Sequence, residues 1–512
     1  MSVPSWARSL TVAALAATAV IASPVAVGAQ TPGPRIVIRD LGPGRAGRWL
    51  REALARPHVL VRSDSLHPVL LARDTTFDRT VIVVGGPARV AAAVRGDVFV
   101  VGGDLFLRPG VDVGGRAVAI GGGVYRTTLG RVAGGLYANR DFTYRITELP
   151  DGTLVLDYEP LEVRDVRLVS FPGFYGVRIP TYDRTNGVSL PFGPTFTIDT
   201  GRIEIDALGI YRSQLGEVDP RLDLRATIGR RLSVTARAGR TTATNDRWIY
   251  GDFSNSFASL FGGRDTRNYY RADRAEGRVA YAWESATSRF TLLAGGLAEE
   301  ARSARPDTGA QGGPWSLFGR RDREDGMLRP NPRVARGRIM SGLGGARVEY
   351  EDQGLTATLR TETEVPFEVV GGGHWVQTTV DGGAQFPTFG TQRMELETHA
   401  VLTQGDVTPP QRYAYLGGAG TLPTFDVLEF GGDHLFFAEG RYIVPVDRVR
   451  IRVLGSPTFT LRYMIGGAGV GALPTLEQNV GVRLAISLIR VDYVVDPSSR
   501  KSKTTFGLTF FR

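Results

Sequence analysis

Residues 503–512 read Lys-Thr-Thr-Phe-Gly-Leu-Thr-Phe-Phe-Arg. Phe506, Leu508 and Phe510 alternate with Thr505, Gly507 and Thr509, the period-2 pattern of a strand with one apolar face. In an outer-membrane β-barrel, alternate residues face lipid and aromatic side chains gather at the interface. A soluble protein rarely leaves such a strand at an edge, because an unpaired apolar edge invites aggregation. Phe506, Phe510 and Phe511 are therefore the candidate insertion signal of a closing strand. Phe506 and Phe510 would equally suit a soluble core, so the rest of the chain has to decide.

Moving inward from that end, the same alternation recurs. It is seen at 480–488, 449–453, 355–360, 346–350, 290–294, 277–283, 232–238, 221–228 and 202–211. In the last of these, Arg202, Glu204 and Asp206 share one face and Ile203, Ile205 and Ala207 the other. A charged face opposite an apolar one suits a wet lumen and a lipid exterior. A soluble sandwich also alternates, but it must bury its apolar face against a second sheet. Polar stretches interrupt the series at 241–275, 300–338 and 404–430. Outer-membrane barrels place long loops outside and short turns in the periplasm. The second stretch carries Arg302, Arg305, Asp307 and the run from Arg320 to Asp325. Such a run is ordinarily a solvated loop; binding to lipopolysaccharide phosphates is the sharper reading. The expected fold is all-β: a transmembrane antiparallel outer-membrane β-barrel of about 12–16 strands over 175–512, the number being even.

The other end sets the compartment. Residues 1–29 hold Arg8, an apolar run from Leu10 to Ile21, and small residues ending Val27-Gly28-Ala29. That is the pattern of a cleaved secretory signal, so the mature chain is expected to start at Gln30. The run is too short for a membrane-spanning helix. There are no cysteines, which excludes disulfides, thiolate metal sites and cysteine nucleophiles. Lysine occurs only at 501 and 503, so arginine supplies 59 of the 61 basic residues. We read that skew first as genome base composition. The net charge of +9 favours anionic lipid headgroups, but it is dispersed and no tract of nucleic-acid type exists.

Between the signal and the barrel lies a repeat. Val81-Ile-Val-Val-Gly-Gly86 recurs as Val98-Phe-Val-Val-Gly-Gly103 and as Ala117-Val-Ala-Ile-Gly-Gly122, at offsets of 17 and 19 residues. A short strand closed by Gly-Gly at a near-constant period builds a β-solenoid, each turn stacking on the last. A strand at 35–39 and a helical stretch around Trp49, Leu50, Ala53 and Leu54, stopped by Pro57, precede it. Gly103-Asp104 and Pro109-Gly110 are the expected corners. The stretch resembles the bactofilin-type polymer-forming β-helix. We assign 30–140 to a small periplasmic domain with β-solenoid-like repeats and 141–174 to a linker.

Residues 415–446 contain Tyr415-Leu-Gly-Gly-Ala-Gly-Thr-Leu-Pro-Thr-Phe425, then Glu429-Phe-Gly-Gly-Asp433, then Leu435-Phe-Phe-Ala-Glu-Gly-Arg-Tyr-Ile-Val-Pro445. This resembles the bacterial surface antigen barrel shared by outer-membrane assembly proteins and two-partner secretion transporters. Gly417, Gly418, Leu422 and Phe425 match the family's inward-folded loop, which makes Leu422, Pro423 and Phe425 the candidate tip. Glu439, Arg441 and Pro445 match the following strand. Arg490-Val-Asp-Tyr493 resembles the penultimate strand. Asp183-Arg-Thr-Asn-Gly187 resembles a motif opening the first strand of related barrels. The chain departs from the family at Pro423-Thr424, where an Arg-Gly pair is usual. The resemblance implies that this arginine pairs with an acid on the wall, and Pro423 cannot. The family's periplasmic client-receiving repeats are not evident either. Glu439 and Arg441 lie two apart and share one strand face; we expect them to face the lumen as an ion pair.

Enzymatic readings are weak. The five histidines, 58, 67, 374, 399 and 434, make no zinc motif. No Gly-x-Ser-x-Gly elbow occurs, and no glycine-rich stretch opens a phosphate-binding helix. His399 and His434 lie in candidate strands near Ser and Asp residues. We expect no enzyme, no cofactor and no metal. Three functions remain. One is outer-membrane protein or lipid assembly or translocation, another a passive porin-like channel. The last is a structural envelope anchor whose solenoid binds peptidoglycan or another polymer. The partners expected are outer-membrane lipid, lipopolysaccharide and the barrel-assembly machinery, with no nucleic acid. The first function is preferred, on a likeness at the level of fold.

Overall fold

The computed structural model describes residues 36–42, 44–63, 68–108, 111–126, 131–161, 167–229, 231–285, 287–304, 314–318, 327–352, 354–390, 392–446, 457–486 and 489–508. The segments expected to be the signal peptide, the Pro109-Gly110 corner, most of the 305–325 charge cluster, the strand 449–453, and Phe510 and Phe511 lie outside the described residues.

The Gly-Gly repeats build a parallel β-solenoid. One sheet stacks His58–Arg62, Thr80–Val84, Val98–Val101, Ala117–Ile120 and Leu136–Asn139 in register. Two four-stranded sheets complete the coil. The glycine pair has two separate jobs. The first glycine of each pair, Gly85, Gly102 or Gly121, takes φ between 82° and 101°, where a Cβ is strained. The second, Gly86, Gly103 or Gly122, stacks on the one below, so a Cβ on Gly103 or Gly122 would strike backbone of the adjacent coil. Two strands of the large sheet, His58–Arg62 and Leu136–Asn139, lie beyond the three recognised repeats. Neither ends in Gly-Gly, which is why the sequence pattern misses them. Inside the coil, Val81, Val83, Val98, Val100, Ala117 and Ala119 are fully buried. On the outer side Ile82, Phe99 and Val118 pack under helix α1 (Arg45–Ala55). Ala46, Trp49, Leu50 and Ala53 form the helix's buried stripe, the spacing of one helical face.

The expected linker 141–174 is corrected. It holds a hairpin, Phe142–Glu148 with Leu154–Pro160, to which Ile36–Ile38 adds a parallel strand. Phe142, Tyr144, Leu154 and Leu156 join the core beneath α1, so this hairpin is part of the N-terminal domain.

From Val169 onward one antiparallel sheet of eighteen strand segments runs to Leu508. Gly187–Phe192 and Thr195–Ile198 pair in one continuous register with the next strand. Val169–Ser170 and Thr181–Asp183 both pair on their other side. The sheet therefore has sixteen rows. We number them β1 (Val169–Ser170 and Thr181–Asp183), β2 (Gly187–Phe192 and Thr195–Ile198), β3 (Ile203–Arg212), β4 (Glu217–Ile228), β5 (Leu232–Ala243), β6 (Tyr270–Glu284), β7 (Ser288–Ser303) and β8 (Gly337–Asp352). The series continues with β9 (Leu355–Val369), β10 (Trp375–Pro387), β11 (Arg393–Gly405), β12 (His434–Pro445), β13 (Thr458–Gly469), β14 (Glu477–Ile486), β15 (Ile489–Val495) and β16 (Ser502–Leu508).

The alternation sorts side chains as in an outer-membrane barrel. Leu222, Val279, Leu292, Leu359, Leu461, Leu484 and Tyr493 point outward and are exposed. Asp219, Asp223, Glu299, Glu439, Arg441, Arg462 and Asp492 point inward and are buried. A soluble sheet reverses that order, because burying charge without pairing it is costly. The sheet curls: Arg278 of β6 reaches Glu362 of β9, three rows away, at 2.6 and 2.8 Å. The turns after β4, β6, β8, β10 and β14 are short, while the long connections 244–269, 304–336 and 406–433 leave the opposite end. The solenoid docks on the short-turn end through Arg45–Glu351 at 2.9 Å and Arg48–Glu284 at 2.8 Å. No helix among the described residues is long and apolar enough to cross a membrane.

Candidate functional site

The site is the barrel lumen and the long connections that fill it. Segment 406–433 folds inward. Its two short strands, Ala414–Leu416 and Phe430–Gly432, pair with each other and lie on the inner wall. Leu416 and Leu422, both fully buried, pack on Val401, Leu435, Phe437, Met464 and Val494 from β11, β12, β13 and β15. Gly417 and Gly418 have φ of 125° and 74°; they bend the segment so that Gly418 N donates to Leu422 O. Of the residues expected at the tip, Leu422 is the apolar anchor, Phe425 stacks edge-on with Phe430 at 5.0 Å, and Pro423 faces a lumen cavity. Beside it Thr424 bonds Asn479 of β14: Thr424 N donates to Asn479 Oδ1 at 3.2 Å, and Asn479 Nδ2 donates to Thr424 Oγ1 at 2.8 Å. Neutral hydrogen bonds stand at the tip, where Pro423 was expected to be unable to make an ion pair.

The wall ion pair is present at another place. Arg412, at the entrance to the segment, is buried and donates to Glu299 of β7 at 2.8 Å and to Glu364 of β9 at 2.9 and 3.0 Å. Burial by itself would favour neutral arginine; Glu364 and Glu299 outweigh it and hold the Arg412 pKa well above the usual value. Sequence reasoning missed this residue. A short Pro409-Pro410-Gln-Arg412 stretch has no periodicity, and its partners come from strands 113 and 48 residues away.

The other connections lock onto this one. Gln411 exchanges hydrogen bonds with the backbone of Ala335, and Asn245 donates to the carbonyls of Gln411 and Tyr413. Asp183 caps the Arg184–Asn186 turn, accepting from Thr185 N and Asn186 N. Arg184 N donates to Asp265, and its guanidinium donates to Arg267 O. Arg329 donates to the carbonyls of Val427, Asp265 and Arg267. The Asp183–Gly187 motif is thus where the loops are tied to the start of the barrel. Helix α2 (Asp252–Gly262) lies in the same assembly, with Ser256 Oγ accepting from Tyr182 N of β1. Asp246 is fully enclosed there. Burial pushes its pKa up to about 7, against the pull of the Asn268 N–H and the Arg329 charge. Oδ2 accepts from Asn268 N at 2.7 Å, Oδ1 is buried with no well-aligned hydrogen bond among the described residues, and the Tyr415 N–H of segment 406–433 lies beside the carboxylate.

Beneath the plug the inner wall of β11–β16 is densely charged. Glu439 and Arg441 both face inward, but their mutual distance is 3.9 Å. Each has a nearer partner across a strand: Glu439 with Arg462 at 2.7 Å, Arg441 with Glu397 at 3.0 Å. Asp492 gathers Arg462 at 3.0 Å, Arg483 at 2.5 Å and Arg490 at 3.6 Å. The pair expected from the sequence is one link in a continuous ladder. His399 is bonded to Asp381 at 2.7 Å and stacked on Trp248 at 4.2 Å; His434 lies 3.1 Å from Asp433. No group of side chains suited to a metal ion occurs among the described residues. Phe506 points outward and is 75% exposed. Among the described residues, no backbone pairing joins β16 to β1.

No family model matches the sequence, and no curated protein matches it. Among solved structures, the chain is similar to CdiB from Escherichia coli, with a TM-score of 0.40 and 11% identity over 72% of this chain and 67% of that one. It is also similar to CdiB from Acinetobacter baumannii, with a TM-score of 0.38 and 10% identity over 72% of this chain and 65% of that one. At these scores the likeness adds nothing to what the geometry itself supports.

Proposed function

We propose that this protein is a gated outer-membrane barrel of the surface-antigen type that passes polypeptide or lipid, with its solenoid in the periplasm. The observation that carries the reading is segment 406–433. It enters the lumen from the long-loop end, packs Leu416 and Leu422 on the inner wall, and is tied by the buried Arg412, by hydrogen bonds to the neighbouring connections and by a neutral pair at its tip. A passive pore has no use for a plug tied at several points. A barrel that opens on demand needs one, and a plug held by a few polar contacts can be released by a partner that replaces them. The first row, β1, is broken into pieces of two and three residues. The seam between β1 and β16 is therefore the weakest line of the wall. Long loops outside, short turns and solenoid inside the envelope agree with the usual orientation of such barrels. Lipopolysaccharide at the outer rim and the barrel-assembly machinery are the partners this reading implies.

In planar bilayers the intact protein is expected to stay mostly closed, and a variant lacking residues 417–428 to open in large steps. An intact protein conducting steadily at the level of the deletion would overturn the gate. Depletion in cells should lower the surface level of other barrels or exported polypeptides. An unchanged set of surface proteins would overturn the transport role.

A further inference from the structure

A cavity of about 620 Å³ lies in the lumen between the plug and the wall of β11–β16. Its two sides differ in chemistry. The wall side presents Arg441, Arg462, Arg483, Arg490 and Lys503, and Arg264, just after helix α2, adds a sixth cation. Three carboxylates, Glu397, Glu439 and Asp492, line the same space. Glu395 stands 3.3 Å from Arg441 just outside this space; six cations against four carboxylates still leave an excess of positive charge in a confined volume, where screening is weak. Asp492 alone is shared by Arg462, Arg483 and Arg490. The Arg490 Nε atom, 3.6 Å from Asp492, is buried and without a hydrogen bond among the described residues.

The opposite side is apolar. Helix α2 turns Phe257, Ala258 and Phe261 toward the cavity, and Tyr250 adjoins them. Phe257 and Phe261 stack at 4.2 Å. A helix facing a water-filled lumen has no reason to present phenyl rings to it; an apolar occupant gives one. The third boundary is Thr505, Phe506 and Gly507 of β16, whose far face is the exposed apolar exterior. The cavity thus has a cationic wall, an aromatic wall, and a border on the strand that faces lipid.

We infer that this cavity binds an anionic amphiphile, an acyl chain ending in a carboxylate or phosphate. The head lies against Arg483, Arg490 and Lys503, and the chain lies along Phe257 and Phe261. Guanidinium groups suit such a head because they donate in a planar fork. The aromatic wall separates this ligand class from a plain inorganic anion, and the positive excess separates it from a neutral lipid. The inference does not depend on what the barrel transports.

Trp248 lines the cavity and reports on it. The full-length protein in nanodiscs would be titrated with four probes: a fatty acid brominated on its chain, phosphatidylglycerol brominated likewise, the matching brominated fatty alcohol, and inorganic phosphate as competitor. The readout is the part of the tryptophan quenching that disappears in Trp248→Phe. Saturable quenching by the fatty acid identifies a free acyl anion as the ligand; quenching by the phospholipid alone identifies a membrane lipid; both support the site. Arg490→Gln combined with Lys503→Gln should weaken it about tenfold or more, the loss of charge-assisted hydrogen bonds. Ala258→Phe should block it from the helix side with every charge retained. Unchanged gel mobility of the unheated protein shows that each variant is folded. Equal quenching by the alcohol, full displacement by phosphate at the probe's own concentration, or wild-type binding in both variants would each overturn the inference.

Discussion

At the scale of single residues, Arg412 and Asp246 hold the plug by opposite means. Arg412 is a buried cation between the buried carboxylate of Glu299 and the partly buried one of Glu364. Removing it takes a charge-assisted partner from each, while Glu299 keeps Arg274 and Tyr270 and Glu364 keeps Ser341, so the loss is about 1.5–3 kcal/mol. Arg412→Ala is therefore expected to lower the urea midpoint of the folded barrel markedly. Arg412→Lys should recover little, because a lysine cannot bridge two carboxylates with a planar fork. Asp246 works with pH. Its carboxyl is raised from 3.8 to about 7 by burial, so the folded protein keeps the proton that the unfolded chain loses. Stability from this group is full below about pH 4 and falls as pH rises toward 7. The fall is on the order of 4 kcal/mol by linkage. Asp246→Asn mimics the protonated form. It should match the wild type in urea midpoint near pH 4 and exceed it at pH 8. A wild type whose midpoint is as insensitive to pH as the variant's would refute the assignment.

At the scale of elements, the inward segment shows what a strand pattern can and cannot reveal. The alternation of β12, and with it the shared inward face of Glu439 and Arg441, was legible because it follows from the strand period; Gly417, Gly418 and Pro445 were singled out only by a family resemblance. How the tip would be held was not legible, since its partner Asn479 is 55 residues further on. The Thr424–Asn479 pair makes a distinct prediction. Asn479→Leu alone leaves the Thr424 N–H and hydroxyl facing an apolar group and should cost about 1–3 kcal/mol. Asn479→Leu with Thr424→Val removes most of the stranded polar atoms, so the double variant should cost less than the sum of the two singles. Chemical denaturation of all three variants checks this. Additive losses would mean that the two side chains do not act as a pair. The solenoid makes the complementary point. Its Gly-Gly signature marks three coils because a positive φ and a close backbone approach recur there. The flanking strands stack by the same hydrogen bonds with no glycine pair after them; in the last coil Gly134 and Gly135 stand before the strand instead.

At the scale of the molecule, solenoid and barrel are two structures with separate cores. The first is held by the clusters beneath α1 and inside the coil. The barrel is held by its ladder, its charged inner wall and its plug. The bridges between them, Arg45–Glu351 and Arg48–Glu284, are about one-quarter exposed. Pairs of that kind contribute roughly 0–1 kcal/mol each. A chain lacking residues 36–161 is therefore expected to retain the folded barrel, judged by the different gel mobility of heated and unheated samples. Loss of that difference would show that the barrel needs its N-terminal domain to stand.

The sequence by itself determined the period, and with it the strands, the two-faced wall and the glycine-closed coils. The strands and the two-faced wall depend on neighbours two residues apart, and the coils on a repeat of 17 and 19 residues. It misplaced 141–174 as a linker, because a short hairpin between two β domains has no pattern of its own. Only the tertiary structure decided which charges meet. Glu439 turned to Arg462, Arg441 to Glu397, and the wall pair fell to Arg412. Curling the sheet brings together residues that the chain keeps far apart, and a charge in a confined lumen pairs with whatever opposite charge the curl places within reach.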